Sequence, residues 1–149
     1  MKTRVLKAAV GAAAVLGGLM VATPAQATDG PVAAQVYYPG TSGSGGVAKA
    51  SLDFTSRTRV VYNNLTVRDV CPGDNLPVRA YVEVVFTNGA IRRVNMGSDT
   101  NGCGSDGTNL GDYIATGSSS IAKAGVRVCV YNSTQLLRCK TAFRDNPYT

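Results

Sequence analysis

The sequence predicts an all-β protein, a small disulfide-stapled β-sandwich or barrel with an extended N-terminal arm. Three observations carry this. Apolar and polar residues alternate with a period of two in several runs, as in half-buried strands. Turn chemistry punctuates those runs at Cys71-Pro72-Gly73-Asp74-Asn75, Asn88-Gly89 and Asn132-Ser133-Thr134-Gln135. Four cysteines accompany them, with no histidine.

The N-terminus reads differently from the rest. Lys2, Arg4 and Lys7 form a basic head, residues 8–22 are apolar, and Thr23-Pro24-Ala25-Gln26-Ala27 supplies a helix stop and small residues at a cleavage site. This is the layout of a secretory signal peptide, expected to be cut after Ala27. The apolar run falls short of the roughly 20 residues that span a bilayer. The expectation is therefore a secreted, extracellular protein with no membrane contact after cleavage. Residues 1–27 are the signal, 28–46 an arm and linker, and 47–149 the β domain.

Within the arm, Val32, Val36, Tyr37, Tyr38 and Pro39 form a short apolar and aromatic stretch, followed by the Gly/Ser-rich linker Thr41-Ser42-Gly43-Ser44-Gly45-Gly46. A sticky segment on a flexible tether suits partner binding; an edge strand of the same domain is the other reading. From Val47 onward the domain itself begins. Ala48, Ala50, Leu52 and Phe54 are expected on one face of the first strand. Val61, Leu65 and Val67 are expected to share a face of the next, with a bend at Asn63-Asn64.

Val78, Ala80, Val82, Val84 and Phe86 line one face of a hairpin that turns at Asn88-Gly89. A two-residue type I′ turn sets Phe86 across from Ile91 on the inner face and Val85 across from Arg92, which then lies diagonal to Glu83. Residues 97–112 form a long polar loop with Cys103 in its middle, and loops of this length tend to be functional or tied down. Residues 113–115 read as a short strand, and residues 118–124 as a helical turn or a strand. The last hairpin alternates Val126, Val128 and Val130 with Arg127, Cys129 and Tyr131. A five-residue loop, 132–136, sets Cys129 opposite Cys139.

An even cysteine count in an exported chain predicts two disulfides. The opposed pair Cys129–Cys139 comes within reach of a bridge, which leaves Cys71 with Cys103. A zinc site finds neither histidine nor a close cysteine pair.

Removing 27 of the 149 residues takes three basic residues away, and twelve then face nine acids, a net charge of about +3. With no basic cluster larger than Arg92-Arg93, this does not predict nucleic-acid binding. Without histidine, serine or cysteine triads have no base. The eight Asp and one Glu lie mostly in turns, and nothing pairs two of them for glycoside hydrolysis. Asp99 and Asn101 open like a calcium loop, but Cys103 and Leu110 stand where an EF-hand needs ligands. Tyr81 and Tyr131 fall opposite the apolar face, while Phe86 and Phe143 are expected in the core. The sequence thus predicts no enzyme and no cofactor.

The Ala-rich leader, Val36-Tyr37-Tyr38-Pro39 on its Gly/Ser tether, and the compact four-cysteine β domain after Val47 resemble the small adaptor subunit of the umbrella toxin particles of Streptomyces. The resemblance covers the layout of the whole mature chain. It implies a non-catalytic connector between other secreted proteins, a larger toxin subunit and a lectin-type subunit, with residues 31–39 as the docking segment. The alternatives are a secreted protease inhibitor presenting the 97–112 loop and a cell-wall or glycan binder.

Overall fold

A computed structural model describes residues 29–38, 45–70, 76–102 and 106–149. Eight strands are formed: β1 Gly30–Tyr37, β2 Gly45–Ser56, β3 Arg59–Val70, β4 Val78–Phe86, β5 Ile91–Ser98, β6 Thr108–Thr116, β7 Ile121–Asn132 and β8 Gln135–Asp145. They make two four-stranded antiparallel sheets, ordered β1-β2-β3-β6 and β5-β4-β7-β8. The expected sandwich is therefore the fold.

Its core comes from the period-two pattern. Ala48, Ala50, Leu52 and Phe54 from β2 meet Val78, Ala80, Val82 and Val84 from β4 and Val126, Val128 and Val130 from β7. The Tyr62 ring is buried among them. Its hydroxyl donates across the sandwich to the Glu83 carbonyl at 3.1 Å, tying one sheet to the other. That burial pushes the phenol pKa well above its ordinary value.

Four expectations are corrected. The first concerns the arm. Residues 30–37 are not tethered outside the domain but are its first strand. β1 pairs with β2 from Gly30↔Leu52 to Tyr37↔Gly45. Val32 and Val36 are 5% and 3% exposed, and Ala34 between them is equally buried. The cause is the alternation itself: Val32, Ala34 and Val36 make an apolar face that nothing else covers. The domain therefore begins at β1, not at Val47, and Val32 and Val36 are core residues rather than docking residues.

The second correction is in β3. Asn64 takes a positive φ of 51° beside a register shift. The extra residue reverses the alternation, so Val60 and Tyr62 share the buried face with Leu65 and Val67, while Val61 turns out.

The third is the β4–β5 register. Only Gly89, and not Asn88, has positive φ. The amide of Gly89 donates to the Phe86 carbonyl and that of Phe86 to the Ala90 carbonyl, both at 2.9 Å. This is a three-residue loop with a glycine bulge in place of the two-residue turn. Ile91 now sits opposite Val85, and Glu83 opposite Arg93. Ile91 is consequently 52% exposed on the outer face. The fourth concerns Phe143. It pairs with Gly125 on that same outer face, half-buried and outside the core. A side chain on Gly125 would meet the Ala142 carbonyl oxygen at 2.0 Å and the Phe143 ring at 2.8 Å.

One stabilising residue carries no sequence signal. Asn146 follows β8 and is 3% exposed. Its side-chain amide donates to the carbonyls of Ile121 at 3.0 Å, Ser56 at 3.2 Å and Arg57 at 3.3 Å. It thereby ties the C-terminus to both sheets. Asn146→Ala removes all three bonds, although the Arg57 carbonyl keeps the Ile121 amide at 2.7 Å, and is expected to cost about 1–3 kcal/mol, measured by urea unfolding.

Candidate functional site

The docking segment read from the sequence is divided by the fold. Val32 and Val36 point into the core, Tyr37 is 38% exposed at the end of β1, and Tyr38 packs partly against the core. Pro39 lies outside the described residues. The outer edge of β1 is guarded. Pro31 has no amide hydrogen to offer, and its carbonyl accepts from Arg144 Nε at 2.7 Å. The Tyr37 carbonyl accepts from Arg138 at 3.4 Å. Proline and covering cations are the usual protections of an edge strand.

The long loop is shorter than expected, because β5 runs to Ser98 and β6 starts at Thr108. Its polar side chains serve the loop. Asp99 accepts from the Asp69 amide at 2.7 Å, the Thr108 hydroxyl at 2.7 Å and the Asn101 amide at 3.2 Å. Asn101 in turn donates to the Gly107 carbonyl at 2.6 Å. The two residues singled out as calcium-like are thus engaged in loop hydrogen bonds. Cys71 and Cys103 lie outside the described residues.

A different surface gathers the chemistry-bearing side chains: the outer face of the β5-β4-β7-β8 sheet. The register stacks it in rungs. Ile91, Val85, Lys123 and Asp145 form the first, and Arg93, Glu83, Gly125 and Phe143 the second. Asn95, Tyr81, Arg127 and Thr141 follow, and then Arg79 beside the pair Cys129 and Cys139. That last pair is bridged, with Cα atoms 4.1 Å apart. The expected opposition is met by another route: a tight turn at Ser133 and Thr134, plus a bulge after Val130, replaces the five-residue loop.

The rungs are locked together by side chains. Tyr81 Oη and Tyr131 Oη share a hydrogen bond of 2.5 Å. The Arg79 guanidinium lies 4.4 Å over the Tyr131 ring, and Lys123 Nζ lies 4.7 Å over Phe143. Glu83 is buried and paired with Arg93 Nε at 2.5 Å and Arg127 at 3.7 Å. Loss of solvent and the Tyr81 hydroxyl hold the Tyr131 phenol above its ordinary pKa of 10.0. A raised phenol pKa favours the folded state while the proton is on, and that contribution is lost as pH rises through the folded value. Absorbance titration is accordingly expected to show Tyr62 and Tyr131 ionising above the ordinary phenol range.

Arg93→Ala is expected to cost about 1–2 kcal/mol. The Glu83 carboxylate loses its closer cation, but the Arg93 side chain is 48% exposed, and solvent screening keeps the loss below that of a fully buried pair.

Fold and face together define a two-sheet antiparallel β-sandwich that carries a pre-built tyrosine–arginine surface on one side. Compared with known proteins, the chain matches no family model, no curated relative and no solved structure. Among the described residues, no group of three or more Asp, Glu, Cys or His is placed to hold a metal, and no helix is long and apolar enough to cross a membrane. The tyrosine–arginine face was only half legible beforehand. Alternation put Tyr81 and Tyr131 opposite the core, but their contact depends on β4 and β7 being neighbours, which local pattern does not reveal.

Proposed function

We propose that the protein is secreted and acts outside the cell as a non-catalytic adaptor, binding other secreted proteins through the outer face of the β5-β4-β7-β8 sheet. The observation that carries this reading is the ordered Tyr81, Tyr131, Arg79 and Arg127 array. Tyrosine and arginine dominate the energetic centres of protein interfaces, and an array already held in place loses little entropy on binding. Ile91, Val85 and Phe143 add apolar area beside it. The outer face of the other sheet carries Ala33, Lys49, Ser51 and Asn63, with the apolar pair Val61 and Ile114 and the cation Arg59. The Cys129–Cys139 bridge supports an oxidising destination, as the leader-like N-terminus does. A toxin assembly with a large toxin subunit and a lectin-type subunit is the setting we propose for it, with the face as a docking surface in place of the arm.

Purification of the tagged protein from culture supernatant tests the reading. The expected result is a stoichiometric partner protein that is lost with Tyr131→Ala and retained with Ser51→Ala on the opposite sheet. Absence of a stoichiometric partner, or one retained equally by both variants, overturns it.

A further inference from the structure

We infer that Arg79 is the centre of a carboxylate-receiving site on this face, and that the protein it receives presents an acidic side chain there. The inference rests on the adaptor reading and names the chemistry of the partner surface.

The argument starts from what is already satisfied. Glu83, an acid of the second rung, is buried beneath Arg93 and Arg127. The next rungs, through Tyr81 and Arg79, contain no acid at all. Over the four rungs, Arg79, Arg93, Lys123 and Arg127 face only Glu83 and Asp145. On the rungs of Tyr81 and Arg79 solvent therefore meets cations, with Glu83 underneath and the exposed Asp145 on the far rung. A face of this kind is complementary to an acidic one.

Arg79 differs from its neighbours. Arg93 and Arg127 are turned to Glu83, and Arg127 also approaches the Thr141 hydroxyl at 3.4 Å. Arg79 instead lies over the Tyr131 ring, 4.4 Å from its centroid. Among the described residues it has no carboxylate partner and no hydrogen-bond acceptor. The cation–π contact holds the guanidinium over the ring and leaves its N–H fork for an incoming carboxylate, which it can bind bidentately. The neighbouring hydroxyl pair contributes too. Tyr81 and Tyr131 carry two O–H protons and use one between themselves, so one remains to donate. Tyr131 lies beside Arg79, and further along the same face Phe143, Val85 and Ile91 add apolar area, which favours a protein surface over a sulfated glycan or a nucleic acid.

The test is a two-dimensional amide NMR titration of the folded, disulfide-intact protein with poly-L-glutamate at low salt, with heparin and a single-stranded oligonucleotide as comparators. The expected result is shifts centred on residues 79, 81, 127 and 131. Arg79→Gln should weaken poly-L-glutamate binding about tenfold with a wild-type-like spectrum elsewhere, as expected for loss of a charge-assisted bidentate pair. Lys49→Gln, on the opposite sheet, should leave it unchanged. Shifts spread evenly over the basic residues, equal binding by Arg79→Gln, or tighter binding of heparin or the oligonucleotide at this face would overturn the inference. If a co-purified partner depends on Tyr131 but binds Arg79→Gln as well as wild type, the carboxylate site fails and the adaptor reading stands. If neither substitution affects the partner, the adaptor reading fails with it.

Discussion

Deleting residues 28–38 is expected to abolish cooperative folding of the domain. The strand removed is not a tether. Val32, Ala34 and Val36 are buried against β2, and β1 also packs across the sandwich against β7 and β8. Burying those three side chains is worth about 5 kcal/mol, a large part of the roughly 5–15 kcal/mol that a domain of this size has. Deletion also leaves β2 as a long unguarded edge, because Pro31 and the Arg144 and Arg138 contacts go with β1. The Phe54 amide would lose its acceptor, the Asp29 carboxylate at 2.7 Å. Circular dichroism on heating should show no sharp transition for the truncated protein. A truncated protein that melts like the parent would mean that the strand is dispensable and would restore the arm to residues 28–46.

Breaking the Cys129–Cys139 bridge is expected to have the next largest effect. The residues are ten apart, and in the chain-entropy picture closing a loop of that size restricts the unfolded chain by about 3 kcal/mol. The bridge lies on the rung of Arg79 and one register step from Tyr131. Cys129→Ser with Cys139→Ser should therefore lower the urea midpoint and also loosen the Tyr81–Tyr131 contact, seen as Tyr131 ionising at lower pH than in the parent. A doubly substituted protein with the parent's midpoint would show that the ladder alone fixes β7 against β8.

The fold class and most strands were legible because period-two alternation is a strong local signal. The β7–β8 pairing was legible because two cysteines on opposed strands restrict the register. What failed did so for local backbone reasons. At Asn88-Gly89 the pattern cannot tell a two-residue turn from a three-residue turn with a bulge, and the difference moved Ile91 and Arg93 to other partners. At Asn64 a positive φ reversed the inward face of β3. Residues 31–37 alternate as cleanly as any strand, but the Gly/Ser stretch after them resembles a linker as much as a hairpin loop. The candidate site was less legible still. The Arg79–Tyr131 and Tyr81–Tyr131 contacts join residues about 50 apart in the chain, brought together when β4 and β7 become neighbours. Asn146 is one polar residue in a C-terminal segment, and only the assembled sheets give it three carbonyls to hold.

The claim that partners dock on the tyrosine–arginine face, and not on the N-terminal segment, is tested most directly by hydroxyl-radical footprinting of the protein alone and in complex with the partner that co-purifies with it. The account predicts that Tyr81, Tyr131, Ile91 and Phe143 lose reactivity in the complex while Tyr37 and Tyr148 keep theirs. Protection of Tyr37 and Tyr38 with Tyr81 and Tyr131 unchanged would contradict it.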